Sequence, residues 1–241
     1  MALDELPGDP YLGLLGEAYN TQLVATIRLL ANRRGPASLR LLVVDAQDRA
    51  LRNAEAALSL EPPILSLACR KGCHHCCWET VGVLAPEAIH LADELRGRLT
   101  EVELSALRRR ATRRGAQLRD VDRSARSQLR LPCALLKDRC CSAYGHRPLA
   151  CRWALSPGLQ ACLDLMVHRT TPFLWMEEVR YQPIQEVWRG LRDGLHETGL
   201  DGSLLLLNCA LATALSEERV AERYLEGEDV FAKDRLDSGD T

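Results

Sequence analysis

Ten cysteines punctuate the chain, and eight of them fall into two tight groups. The first reads Cys69-Arg-Lys-Gly-Cys73-His-His-Cys76-Cys77, and the second comprises Cys133, Cys140, Cys141 and Cys151. Thiolates are soft ligands, and a Cys-x-x-Cys step turns two sulfurs toward one ion across a tight turn. Gly72 supplies the backbone freedom such a turn needs. Cys76 and Cys77 are neighbours, so their side chains are expected to diverge and to serve two different metal atoms. A tetrahedral zinc takes four ligands. Seven thiols (Cys69, Cys73, Cys76, Cys77, Cys133, Cys141 and Cys151) therefore suggest two metal ions, or an iron–sulfur cluster with spare ligands. Several thiolates around a divalent ion leave excess negative charge, which the adjacent Arg70, Lys71, Arg147 and Arg152 could offset. The alternatives are buried thiols and disulfides. For one isolated cysteine burial would be favoured, but four thiols within nine residues favour metal.

The remaining candidates are weaker. At most one of His74 and His75 can ligate, because adjacent side chains point apart, and a solvated histidine is the favoured reading for both. His146 lies beside the second group. His90, His168 and His196 fall in predicted helices as surface or cap residues. Cys162 is either an eighth ligand or, by preference, a core residue. Cys209 reads as core, and Cys140 as a spare thiol. Cys69-x3-Cys73-x2-Cys76 also has the spacing by which radical S-adenosylmethionine enzymes hold a [4Fe–4S] cluster, but those need alternating strands and helices after the motif. Arg108 to Arg114 is a dense basic run, favoured as a solvated helix face because acidic residues lie near it. No Ser/His/Asp constellation and no phosphate loop is present.

Two stretches carry a family resemblance. One is Cys69-x3-Cys73-x2-Cys76-Cys77, followed by Ala85-Pro86-Glu87-Ala88 opening a helix. The other runs Cys133-Ala-Leu-Leu-Lys-Asp-Arg-Cys140-Cys141-Ser-Ala-Tyr144, then Arg147-Pro148-Leu-Ala-Cys151-Arg152. Together they resemble the YkgJ-type cysteine-cluster family, described as zinc- or iron-chelating, over roughly residues 65–156. The resemblance implies a site of Zn or Fe, mono- or binuclear or an Fe–S cluster. It selects Cys141 over Cys140, because Cys141 precedes the Ser-x-Tyr step. Tyr144, Arg147 and Arg152 are then expected to support the ligands. One branch resembles the flagellin lysine methylases, which join such a cluster to S-adenosylmethionine chemistry. No Gly-x-Gly loop follows a predicted strand here, so a Rossmann-type cofactor pocket is not expected.

The elements that must position these loops read as helices. Leu12, Leu15, Tyr19, Leu23, Ile27 and Leu30 mark an amphipathic helix over 11–33, and Leu41, Val44, Leu51, Ala54 and Leu58 a second over 38–60. The pair should pack as a hairpin. A short extended piece is expected at Val81–Leu84 and a helix from Pro86 to about Arg98. Thr100 and Glu103 form a capping box for a further helix to about Arg130, and more helices are expected over 159–169, 176–197, 203–215 and 217–225. The fold class is mainly α, a helical bundle with two irregular cysteine-rich metal-binding loops between helices. The expected organisation is an N-terminal helical hairpin (1–62), a cysteine-cluster region (63–158) and a C-terminal helical region with an acidic tail (159–241), the three able to form one compact domain.

Composition bounds the rest. Of 241 residues, 46% are hydrophobic and 27% charged, which excludes disorder over the whole chain. A net charge of −2 supplies no global basic field, so no nucleic acid is expected as a partner. No stretch reaches the roughly 18 apolar residues of a membrane span, so no membrane partner is expected either. The start, MALDELPGDP, is acidic and carries proline, unlike a secretory signal. A cytoplasmic location is expected, where thiols stay reduced and hold metal more readily than they pair.

Overall fold

The computed structural model describes residues 9–62, 67–119, 121–122, 125–126, 129–156, 158–164 and 177–236. The helices are, in chain order, α1 (Pro10–Asn32), α2 (Pro36–Leu60), α3 (Ala85–Arg98), α4 (Glu101–Arg119), α5 (Leu149–Trp153), α6 (Leu159–Leu163), α7 (Glu178–Glu197), α8 (Leu207–Ser216) and α9 (Val220–Leu225). Among the described residues, four two-residue strands make two small antiparallel sheets. Strand β1 (Gly82–Val83) pairs with β4 (Leu205–Leu206), and β2 (Leu136–Lys137) with β3 (Cys140–Cys141). The fold is mainly α, and no helix among the described residues is long and apolar enough to cross a membrane.

Helices α1 and α2 both begin on proline, whose fixed φ and missing N–H suit a first helical turn. They form the expected hairpin, and α7 packs against both. Glycines allow a close approach: a Cβ on Gly194 would lie 2.6 Å from Thr26 Cβ. Pro183 cannot donate to the carbonyl of Val179, and the Tyr11 hydroxyl donates to that carbonyl at 3.5 Å. Glu177 caps α7, its carboxylate accepting from the N–H groups of Val179 and Arg180.

The buried faces of the hairpin differ from those expected. On α1 the structure buries Tyr11, Ala18, Gln22, Thr26 and Leu30, and Leu12 is exposed. Gln22 and Thr26 satisfy one another there: Gln22 Nε2 donates to Thr26 Oγ1 at 3.2 Å, and Arg49 Nε donates to Gln22 Oε1 at 3.0 Å. Small and paired polar residues line this face because α7 comes too close for leucines. On α2 the alanine-rich face is buried (Leu39, Leu42, Val43, Ala46, Ala50, Ala54, Ala57), while Leu41, Val44 and Leu51 are exposed. That helix carries apolar residues nearly all round, so periodicity alone does not choose a face; the close neighbours do.

Elsewhere boundaries shift. The Thr100–Glu103 capping box is present, with Glu103 Oε2 accepting from Thr100 N–H at 3.1 Å. Helix α4 stops short of Arg130: Val121, Asp122, Leu129 and Arg130 are not helical. Gly115 in its middle lets α8 approach, a Cβ there lying 3.2 Å from Cys209 Cα. Of the helix expected over 159–169, Leu159–Leu163 is seen, and its later part, with His168, lies outside the described residues. One buried cluster runs from Ala18 through Leu91 and Leu149 to Phe231, drawing on all three expected segments.

Candidate metal centre

Local turns bring the cysteines inward. In the first loop Gly72 adopts φ +94°, and Cys73 N–H donates to Arg70 C=O at 2.9 Å, closing a turn. A 3₁₀ turn follows over His75–Trp78. In the second loop β2 and β3 form a hairpin whose two corner residues, Asp138 and Arg139, take φ 50° and 61°. Left-handed backbone at both corners matches the twist of a two-residue hairpin. Side chains alternate along a strand, so Cys140 and Cys141 project to opposite faces. Helix α5 then presents Cys151.

The two loops are stitched together by backbone. Cys133 N–H donates to Cys77 C=O at 2.7 Å, and Ala68 N–H to Ser156 C=O at 3.1 Å. Ser156 N–H in turn donates to Cys69 Sγ at 3.2 Å. Beneath them the buried carboxylate of Glu87 accepts from Leu84 N–H at 3.0 Å and Leu149 N–H at 2.8 Å, tying the start of α3 to the start of α5. Gln47 on α2 donates to Arg147 C=O at 3.2 Å and accepts from Arg152 at 2.9 Å, holding the Arg-Pro-x-x-Cys-Arg stretch against the hairpin.

Cys73, Cys76, Cys77, Cys133, Cys141 and Cys151 line one cavity of about 370 Å³, as bounded by the described residues. Both cysteine groups therefore meet at one place. Cys69 is not part of the lining; it lies behind, against Ser156 and under the influence of Cys162, Cys73 and Cys76. Cys140 does not line the cavity either. Cys209 is core, as expected, donating to Gly115 C=O at 3.5 Å. All ten cysteines are free thiols. The expected divergence of Cys76 and Cys77 is not found: both face the cavity and their sulfurs hydrogen-bond to one another. The tight turn that carries them, unlike extended backbone, does not alternate faces.

Burial disfavours charge on these sulfurs. It pushes the Cys133 thiol up to about 12 and Cys151 well above its usual range, and it raises Cys69, Cys141 and Cys162. Cys76 is the exception. The hydrogen bond from Cys77 lowers it to about 7, with help from the positive charge of Arg147, while Cys77 itself is raised. Arg147 also favours the thiolates of Cys141 and Cys151. Its guanidinium lies 4.0 Å over the Tyr144 ring and donates to Cys151 C=O at 3.3 Å. Arg152 acts differently, donating to the carbonyls of Gly145 and Arg147 and so fixing the turn. Arg70 and Lys71 are exposed, and the charges that favour the thiolates of Cys133, Cys141 and Cys151 belong to Arg114 and Arg147. Arg110 and Arg114 belong to the run expected as a solvated face, yet both turn inward: Arg110 donates to Ala134 C=O at 3.2 Å. Free thiols sharing one cavity beside the cations Arg114 and Arg147 fit a divalent ion, which supplies the further positive charge that makes the thiolate form favourable.

Neither His74 nor His75 lines the cavity, and His74 Nε2 accepts from Arg139 at 3.0 Å. His90, expected at a surface or cap, is buried. The sequence reading missed Glu79, Gln185, Trp153 and Trp188, all of which line the cavity. Glu79 pairs with Arg130 at 2.8 Å. Glu79 lies just past the first cysteine group and Trp153 just past Arg152, close enough in sequence to suggest a role. Trp188 and Gln185 arrive on α7, which no local pattern connects to the cysteines.

With this geometry in view, residues 68–178 match the model of the CxxCxxCC family, whose description is "Putative zinc- or iron-chelating domain". That segment is what the chain has in common with this family. The match begins one residue before Cys69 and takes in every ligand candidate named above, Cys162 included. No curated protein and no solved structure matches the chain. The matched segment is thus set on a bundle whose α1, α2, α8 and α9 lie outside it.

Proposed function

We propose that the protein holds zinc or iron through eight sulfurs in two neighbouring groups, the CxxCxxCC domain being a chelating one. One group is Cys69, Cys73 and Cys162; the other is Cys77, Cys133, Cys141 and Cys151; Cys76 joins them. The reading is carried by one observation: six cysteines from two distant stretches line one cavity. The grouping is supported by electrostatic reach. The Cys76 charge bears on Cys69 and Cys162 as well as on Cys77, Cys133, Cys141 and Cys151. Tyr144, Arg147 and Arg152 fix and offset the sulfurs. Two tetrahedral ions with four sulfurs each, Cys76 completing the first group, or an iron–sulfur cluster with spare ligands, both satisfy the ligand count. Elemental analysis with sulfide quantitation on anaerobically purified protein tests this. Two zincs without sulfide support chelation of separate ions, iron with matching sulfide supports a cluster, and protein devoid of both metals refutes the proposal.

A second reading is a metal-dependent modifying enzyme similar to the flagellin lysine methylase branch. What favours it is the character of the space beside the sulfurs: Val81, Trp153, Trp188, Leu204 and Leu207 also line it, leaving more volume than one or two ions fill. Calorimetric titration of S-adenosylmethionine into metal-loaded protein tests this, with saturable binding expected and no heat of binding as the contrary result.

A further inference from the structure

A second cluster of ligating side chains lies outside the cysteine cavity. His90 and Glu94 are one helical turn apart on α3 and so share a face. His146 comes from the 3₁₀ turn Tyr144–His146, between Cys141 and Cys151 in the sequence. One ligand atom from each of the three falls within 4.8 Å of the others. His146 Nδ1 is 3.5 Å from Glu94 Oε2, and the two imidazole centroids are 6.0 Å apart and tilted, not stacked.

His90 is the residue that needs explaining. It is 2% exposed, and neither ring nitrogen has a hydrogen-bond partner among the described residues. Buried polar atoms are ordinarily satisfied, and leaving one unsatisfied is costly. A His146–Glu94 ion pair accounts for two of the three side chains and leaves His90 without a purpose. Burial also pushes the His90 pKa down, opposed by Glu94 and Asp93 and assisted by His146 and Arg40, which keeps the ring neutral with a lone pair to offer. Glu94 and His146 are partly exposed, so an ion can enter from solvent. The rival for Glu94 is Arg40 at 3.6 Å, whose side chain is 69% exposed and whose surface pairing is weak.

We propose that His90, Glu94 and His146 form a separate site for a borderline divalent cation of the zinc type, two imidazoles and one carboxylate leaving a coordination position open to water. None of the three lines the cysteine cavity, and the donors are nitrogen and oxygen where the cavity offers sulfur. The site does not depend on the reading of the sulfur centre.

Cobalt(II) titration of the full chain tests this, because cobalt on thiolates gives intense sulfur-to-metal charge-transfer absorption and cobalt on imidazole and carboxylate gives only weak visible bands. Wild-type protein is expected to take up one more ion than either Glu94→Gln or His146→Ala, the extra ion showing no charge-transfer band. Both variants change partly exposed side chains outside the main core cluster, and their thiolate bands and far-UV circular dichroism should match wild type. In each, affinity for the extra ion should fall at least tenfold. Equal uptake by wild type and both variants would overturn the proposal, as would saturation of wild type with thiolate bands alone.

Discussion

Cys133 contributes a sulfur to the cavity and an N–H to Cys77, so one residue joins the two loops twice. Cys76 is the other pivot, its charge bearing on six other cysteines across both groups. Cys76→Ser is expected to reduce metal content by more than half and to lower Tm, because metal affinity couples to folding. Cys151→Ser should remove only the ion of its own group. Elemental analysis and thermal melts of both variants check this; unchanged metal and Tm in both would count against it. Cys209 supplies a control outside the site. Its usual pKa of 9.0 is raised by burial to about 11. A raised folded-state value stabilises the fold below pH 9 and loses that contribution as pH climbs toward 11, worth about 2–3 kcal/mol for two units. Cys209→Ala should therefore flatten the alkaline loss of stability, measured by denaturant melts across that range.

At the scale of elements, the site is held by contacts that carry little sequence signal. Glu87 ties α3 to α5 through two buried N–H groups, and Glu87→Ala leaves both unsatisfied. A loss of about 2 kcal/mol or more is expected in chemical unfolding. Gly194→Ala puts a methyl against Thr26 and should cost about 1–3 kcal/mol, seen as a Tm lowered by several degrees. The helices themselves were legible, because apolar periodicity, prolines at first turns and the Thr100–Glu103 box are local. The cysteine loops were legible because metal ligands cluster at short spacings. The buried faces of α1 and α2 were not, since glycines on α7, far along the chain, decide how close α1 comes. Trp188 and His90 escaped for the same reason: each gains its meaning from a neighbour distant in sequence.

Across the whole molecule, the core is continuous from α1 to Phe231, while the cavity sits where the two loops, α5, α7 and α8 meet. Removing metal leaves buried thiols around a cavity, so a chelator should lower Tm and expose these thiols to alkylation. Wild-type reactivity in the presence of metal should be slow by comparison, and equal rates would argue against a sulfur-bound ion. The central claim is that both cysteine groups grip one inorganic centre, and metal stoichiometry measured side by side for wild type, Cys73→Ser and Cys133→Ser tests it most directly. The account predicts a metal-bearing wild type and a deficit in each variant, one from the early loop and one from the late. A metal-free wild type, or full loading in both variants, would contradict it.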